Sequence, residues 1–314
     1  MNALAKLLHR LLESYIAIMA LSIFAGLFLT GPALLLAPFT TLFLQGIFFF
    51  AGLKLDVGEI KTHFRNPGRA VLAALFMLVL FPLIAYPAAK FFIPEAAIGL
   101  MLLAAMPTGM TAPLFAALAG GSETLALILT ALTSFFAPFT VPLVSKLTVG
   151  ASVKVDVLGM FVNLVLVIIA PLLLAQVVRV WLKTKVAAAT FTFKPISLLL
   201  LGLLITAVVA KNSTALAAGL KSSALPTLAA LFVFFALTHL LGFLTAFHRS
   251  RPEKISYAIC LSYMNFVTAI YLAEKYFGDP ETVLTTVLSI IPWTLLFVFF
   301  RTWALSRRRD KIST

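Results

Sequence analysis

The stretch PTGMTAP, residues 107–113, sits inside an apolar run, 96–119, that is long enough to cross a membrane as a helix. Proline removes a backbone donor and its ring clashes with the preceding turn, so Pro107, Gly109 and Pro113 together interrupt that helix near its middle. Irregular backbone at membrane depth survives only where protein buries it or where it lines a wet cavity. Freed N–H and C=O groups at such a break are suited to holding a ligand or an ion near the midplane. The bland reading is a proline kink. The clustering of the breakers beside two threonines favours a site, so Pro107, Thr108, Gly109, Met110, Thr111 and Pro113 are expected to bind or gate a substrate.

The composition fits that reading. Of 314 residues, 62% are hydrophobic and mean hydropathy is +1.09, against roughly 45–50% apolar residues in soluble domains. A polytopic, all-α membrane protein follows, with the lipid bilayer as its first partner. The single cysteine, Cys260, excludes an internal disulfide and a cysteine-rich metal site. No cofactor or metal is expected. Residues 1–10 are basic and no small-residue cleavage site follows, so the stretch from Ser14 is expected to be a retained first span. The net charge of +13 lies in short segments between apolar runs, a topology signal rather than a nucleic-acid-binding face.

Ten apolar runs are expected as spans: 14–30, 33–53, 70–92, 96–119, 124–147, 157–180, 195–210, 226–247, 255–277 and 282–305. Ten spans put both termini on one side. With the termini inside, the outer loops hold Lys90, Lys146, Lys154, Lys211, Lys221 and Lys275, and the other 18 of the 24 basic residues are inside. The positive-inside rule therefore places both termini in the cytoplasm, in what is expected to be a bacterial inner membrane. The spans divide into two sets of five near Gly150. Five is odd, so the second set, 151–314, is inverted relative to the first, 1–150, and inverted repeats are common in secondary transporters.

Other polar groups sit within the apolar runs. The fifth span carries Thr130, Thr133, Ser134 and Thr140 beside Pro138 and Pro142. Their hydroxyls serve helix packing or line a polar ion or proton site. The ninth span, at the position corresponding to the fourth, holds Ser262, Tyr263, Asn265 and Thr268 but no Gly or Pro before Gly278, so nothing local breaks it. These four are either interhelical bonds or contacts to substrate. His239 lies within a span. It is read as a neutral imidazole bonded to a neighbouring helix or as a proton relay.

The chain resembles the bile acid/sodium symporter family across nearly its whole length. The stretches carrying the resemblance are FFFAGLKLDVGEIKTHFRNPGRAV (48–71), AAMPTGMTAPLFAALAGG (104–121) and TSFFAPFTVP (133–142). The first is similar to the family's loop of a glycine-leucine pair, a short polar helix and a His/Asn-Pro turn. The second is similar to its broken fourth helix. The resemblance implies a panel of spans 1, 2, 6 and 7 and a core of spans 3–5 and 8–10. Broken helices 4 and 9 cross in the core, with substrate between panel and core and sodium behind the crossing.

The departures bear on coupling. Where the family has a Ser-Asn sodium-ligand pair, this chain has Ala112 and Pro113. Its span 5 hydroxyl ligands match Ala126 and Thr130, its span 3 glutamine matches Met77, and its span 9 glutamate falls at Ile259 or Cys260. Methionine sulfur and alkyl groups do not replace oxygens around a hard cation. The expectation is a secondary transporter of a small or amphipathic organic anion, held by free N–H groups at a half-helix N-terminus, with sodium coupling lost or altered. A sodium-independent facilitator and a proton-coupled transporter using His239 are the alternatives. An enzyme is not expected, since no HExxH motif and no aspartate pair occurs in a span.

Overall fold

The computed structural model describes residues 15–55, 67–150 and 155–309. Residues 1–14, the segment 56–66 of the 48–71 stretch, 151–154 at the expected repeat boundary, and 310–314 lie outside these residues. Among the described residues every regular element is a helix, and the one β-type pairing is an isolated bridge between Thr108 and Met264.

The helices are α1 (Tyr15–Phe28), α2 (Thr40–Lys54), α3 (Gly68–Phe92), α4 (Ala97–Ala105), α5 (Ala112–Leu118), α6 (Glu123–Val149), α7 (Val157–Trp181), α8 (Lys183–Lys211), α9 (Ser213–Ser222), α10 (Ala224–Thr245), α11 (Arg251–Ser262), α12 (Phe266–Leu272) and α13 (Pro280–Ser306). Seven apolar segments are long enough to cross a membrane: Thr30–Lys54, which contains α2, together with α3, α6, α7, α8, α10 and α13. Large apolar side chains such as Leu42, Phe91, Leu158, Leu173 and Phe299 stand exposed on their outer surfaces. Outward-facing Leu and Phe on helices of that length are the mark of an integral membrane protein.

Two long helices carry a widened turn ahead of a proline. In α3 the segment Phe76–Leu80 is a π turn before Pro82, and in α7 Val165–Ile169 is one before Pro171. A π turn takes up the carbonyl that a proline leaves without a donor, so the helix continues.

One expectation is corrected here. The seventh span does not begin at Pro195, because α8 runs as one helix over 29 residues from Lys183. The stretch KTKVAAATFTFK, 183–194, contains no Gly and no Pro and is rich in alanine, so it propagates the helix past its charged residues. Lys194 is therefore a residue of the helix wall, not of a loop.

The helices pack in two groups. α1, α2, α7 and α8 form one, with α8 lying against both α1 and α2 and α7 against α2. α3 to α6 and α10 to α13 form the other, in which α3 packs on α4, α10 on α11, α4 on α13 and α5 on α11. Close approach in the first group uses small residues. A Cβ on Gly52 of α2 would stand 2.8 Å from the Ala175 methyl of α7.

Candidate functional site

The interruption at 107–113 is present. α4 ends at Ala105, the chain is extended at Met106, and α5 starts at Ala112 with Pro113 in its first turn. Proline suits that place, where a helix has no use for the N–H. Gly109 is required by its neighbour, since a Cβ there would stand 2.9 Å from the Tyr263 carbonyl oxygen.

A second interruption faces it, where the sequence contains no breaker. α11 ends at Ser262 and α12 begins at Phe266, with the Asn265 side chain accepting the Thr268 N–H at 3.2 Å as an N-cap. The two breaks satisfy each other. Gly109 N–H donates to Tyr263 O at 2.7 Å, and Asn265 N–H donates to Pro107 O at 2.7 Å. The Thr108 hydroxyl donates to Cys260 O at 3.0 Å, the carbonyl that a continuous helix would have given to Met264 N–H. Thr108 N–H in turn donates to the Thr133 hydroxyl of α6 at 3.1 Å. Buried backbone must be paired, and these four bonds pair what the missing helical turns leave open.

A cavity of about 620 Å³ lies where the crossing meets the first helix group. Its floor is Gly109, Met110, Thr111, Pro113, Met264 and Asn265 from the two breaks. One wall is Ile47, Ala51, Lys54 and Leu55 at the end of α2, with Lys194, Ser197, Leu198 and Leu201 of α8. Glu123 and Thr124, at the start of α6, and Trp293 also line it. Neither Lys54 nor Lys194 has an ion-pair or hydrogen-bond partner among the described residues.

Lys54 is fixed by its backbone. The Gln176 amide donates to Gly52 O at 2.7 Å and to Leu55 O at 3.2 Å, and the Arg179 guanidinium also donates to Leu55 O. These bonds satisfy the last carbonyls of α2 and clamp its end to α7. Glu123 is placed by the start of α6. There Ser122 N–H donates to Ser256 Oγ at 2.7 Å, and that hydroxyl donates back to Ser122 O at 2.8 Å.

The candidate residues thus fall into two sets. Gly109, Met110, Thr111, Pro113 and Asn265 line the cavity. Pro107, Thr108, Ser262, Tyr263, Thr268, Thr130, Thr133, Ser134 and His239 do not. The Thr130 and Thr133 hydroxyls donate one turn back, to Ala126 O at 2.8 Å and Leu129 O at 2.7 Å. Ser134, Ser262 and Thr268 are fully or almost fully buried, and their hydroxyls have no hydrogen-bond partner among the described residues. Tyr263 sits in an aromatic cluster, with ring centroids of Phe115, Trp293 and Phe297 at 5.0, 5.1 and 5.7 Å. His239 bonds within its own helix. Its Nδ1–H donates to Phe235 O at 2.6 Å, and the ring packs against Tyr263 and Phe300.

Sequence reasoning missed Lys54, Lys194 and Glu123, because charges near span ends were assigned to loops. The signal available for Lys194 was the unbroken helical stretch 183–194. The half-helices α5 and α12 have seven residues each, and in α12 the Asn265 side chain already caps the start. The cationic groups facing the cavity are the two lysines. Among the described residues no three His, Cys, Asp or Glu side chains group to hold a metal ion.

A family model described as "SBF-like CPA transporter family" matches residues 11–308. An uncharacterized sodium-dependent transporter, YocS, of Bacillus subtilis is 24% identical over 274 residues, covering 85% of this chain and 84% of that protein. A probable sodium/metabolite cotransporter, BASS1, chloroplastic, of Oryza sativa is 26% identical over 249 residues, 76% of this chain and 59% of its own length. Sodium/bile acid cotransporter 7-B of Xenopus laevis is 27% identical over 163 residues, 49% of this chain and 46% of that one.

Proposed function

This chain belongs to the SBF-like CPA transporter family, and on that premise we propose that it is a secondary transporter carrying a small or amphipathic organic anion across the membrane by alternating access. The resemblance to the bile acid/sodium symporter family is borne out by the same match and by the names of its relatives. The observation that carries the proposal is the cavity of about 620 Å³ at the crossing, apolar over most of its wall and provided with two lysines that have no ion-pair partner among the described residues. Ligand sites have this form, an apolar pocket with a few convergent polar groups. The anionic end of a substrate sits at Lys54 and Lys194. Its apolar body lies against Ile47, Leu198, Leu201 and Trp293, and Asn265 and Thr111 supply the remaining hydrogen bonds.

In this reading α1, α2, α7 and α8 are the panel, and the other helix group is the core. Counting each interrupted pair as one pass and setting aside the ten-residue α9 gives ten passes. The breaks fall in the fourth and the ninth, as two inverted five-helix repeats, 1–150 and 151–314, require. Lys54 and Lys194 then stand at the cytoplasmic end, with both termini on that side, in a bacterial inner membrane.

Transport depends weakly or not at all on sodium. The relatives carry sodium in their names, but this chain lacks oxygens at several positions where the resemblance implies them. The Thr108, Thr130 and Thr133 hydroxyls donate to protein carbonyls, and Met77, Ala112, Pro113 and Ile259 or Cys260 stand where the resemblance implies ligands. Burying a cation with no carboxylate beside it is costly. His239 is enclosed by aromatic rings and is not part of the cavity lining. That position favours a sodium-independent facilitator over a proton-coupled transporter relaying through His239.

The test is a thermal-shift and proteoliposome uptake screen with cholate, short monocarboxylates and amines of matching size, in sodium and in choline salts. Organic anions stabilise the protein and are taken up. Replacing both lysines by glutamine (Lys54→Gln with Lys194→Gln) lowers anion uptake by at least about tenfold, the effect of losing a charge-assisted contact of about 1.5–3 kcal/mol. Uptake of amines in preference to anions, or full anion uptake by the double variant, overturns the anion reading. Steep sodium dependence overturns the coupling reading.

A further inference from the structure

The seam between the two helix groups has a second end. α8 carries Lys194 and Lys211 about 25 Å apart along its axis, and α2 carries Lys54 and Thr41 about 20 Å apart, at 1.5 Å per residue. Lys211 and Thr41 therefore stand at the end of the molecule opposite the lysine-lined cavity. A smaller, polar cavity of about 250 Å³ lies there, with Thr40, Thr41, Lys211, Glu274 and Lys275 in its wall.

The contacts at that end join elements of the two groups. The Tyr271 side chain of α12 is fully buried, and its hydroxyl is the meeting point of three side chains. It donates to Asn163 Oδ1 of α7 at 3.0 Å, accepts from Lys275 Nζ at 2.8 Å, and pairs with Thr41 Oγ1 of α2 at 3.0 Å. A phenol has one donor and two acceptor positions, so with Asn163 taking the proton, Thr41 is the second donor and the hydroxyl is saturated. Beside it Lys211 of α8 pairs with Glu274, whose side chain is only 10% exposed. The Tyr276 hydroxyl adds a bond to Gly159 O of α7 at 2.9 Å. Asn163, Thr41 and Lys211 belong to the first helix group, and Tyr271, Glu274 and Lys275 to the second half of the interrupted pass.

We propose that this cluster is a latch. The saturated Tyr271 hydroxyl and the Lys211–Glu274 pair hold the seam shut at this end while the lysine-lined cavity is open at the other, and they must part before the seam opens here. The proposal rests on the alternating-access reading for its purpose. A seam held by the Tyr271 bonds to Thr41 and Asn163, the Tyr276 bond to Gly159 O and one ion pair gives up these polar contacts when this half of the pass moves away from α2, α7 and α8, while Lys275, one turn along, moves with Tyr271, so the closed state is discrete and the equilibrium between the two states is set at these side chains.

The experiment needs no substrate and no assigned orientation. The full chain is placed in lipid nanodiscs, where water reaches both faces, and is labelled with a membrane-impermeant maleimide. Cys260 is buried and gives the blank. One reporter is Val208→Cys, 1% exposed at the latched end, and the other is Ala51→Cys in the lysine-lined cavity. In the parent, Ala51→Cys reacts fast and Val208→Cys slowly. Tyr271→Phe and Glu274→Gln each raise the Val208→Cys rate by about tenfold and lower the Ala51→Cys rate, the shift expected from losing, in the first, the two bonds to Thr41 and Asn163 and, in the second, the ion pair with Lys211, contacts that only one state makes. Lys211→Glu acts as Glu274→Gln does, and Lys211→Glu with Glu274→Lys returns the slow rate.

Unchanged rates at both reporters overturn the latch. So does a rise at both together, which is general loosening and which the charge-swap pair also exposes by failing to rescue. A failed anion screen with the opposed shifts intact overturns the transport reading and leaves the latch standing.

Discussion

The two helix breaks that meet at the crossing are alike in shape and unlike in origin. The first, between α4 and α5, has Pro107, Gly109 and Pro113, and any one of them weakens a helix without help from the rest of the molecule. The second, between α11 and α12, runs through Ser262, Tyr263, Met264 and Asn265, all of which a helix tolerates. It opens because its backbone has better partners across the crossing, in Pro107 O, Gly109 N–H and the Thr108 hydroxyl. One break with strong local causes therefore creates donors and acceptors that stabilise a second break with weak ones. Within a membrane, where no water satisfies a freed carbonyl, this pairing is the alternative to continuous helix.

If the second break depends on the first, the largest effect comes from blocking their contact. Gly109→Val places a side chain 2.9 Å from the Tyr263 carbonyl at its first carbon and should destabilise the protein by about 3 kcal/mol, at the upper end for overpacking. A melting temperature close to the parent's would show that the two segments need not touch. Thr108→Val keeps the shape and removes the hydroxyl from Cys260 O. It leaves a buried carbonyl without its donor, at about 2 kcal/mol, and chemical denaturation in detergent checks this.

Asn265→Ala removes the cap of α12, and about 1 kcal/mol is expected. Asn265→Ser, which keeps a capping oxygen for Thr268 N–H and adds no charge, separates capping from any contact with substrate, since only the alanine should lower stability. Pro107→Ala is the sharpest probe and should do least of the substitutions, with a change below about 1 kcal/mol, because Pro107 contributes its carbonyl to Asn265 and any residue has one. A structure of that variant with α4 continuous through Thr108 would show that proline, not pairing, holds both breaks open. The smallest expected effect is that of sodium. Exchanging sodium for choline should leave the melting temperature unchanged, and a rise that saturates with sodium concentration would place a cation among Ser134, Ser262 and Thr268, whose buried hydroxyls lack protein partners.

The same contrast runs through the site. Gly109, Met110, Thr111 and Pro113 were legible because their residue types are unusual in an apolar run, and they line the cavity. Asn265 was legible as a polar residue that needed a partner. Lys54 and Lys194 were read as loop charges, since a count of loop charges does not distinguish a lysine that faces water from one that faces a cavity. Tyr271 gave no signal at all. A tyrosine near a span end is ordinary, and only the arrival of Thr41 and Asn163 from distant parts of the chain makes it a junction.

From the sequence alone came the membrane class, the apolar segments and the first break. Each depends on a local property, either apolar length against bilayer thickness or the stereochemistry of proline and glycine. The second break, the lysine pair and the Tyr271 junction were decided by tertiary structure. Each depends on groups more than a hundred residues apart in the chain being brought together: Thr108 with Cys260, Lys54 with Lys194, and Thr41 with Tyr271. A hydrogen bond or a charge in such a place is determined by what lies opposite, and a single chain read in order does not say what that is.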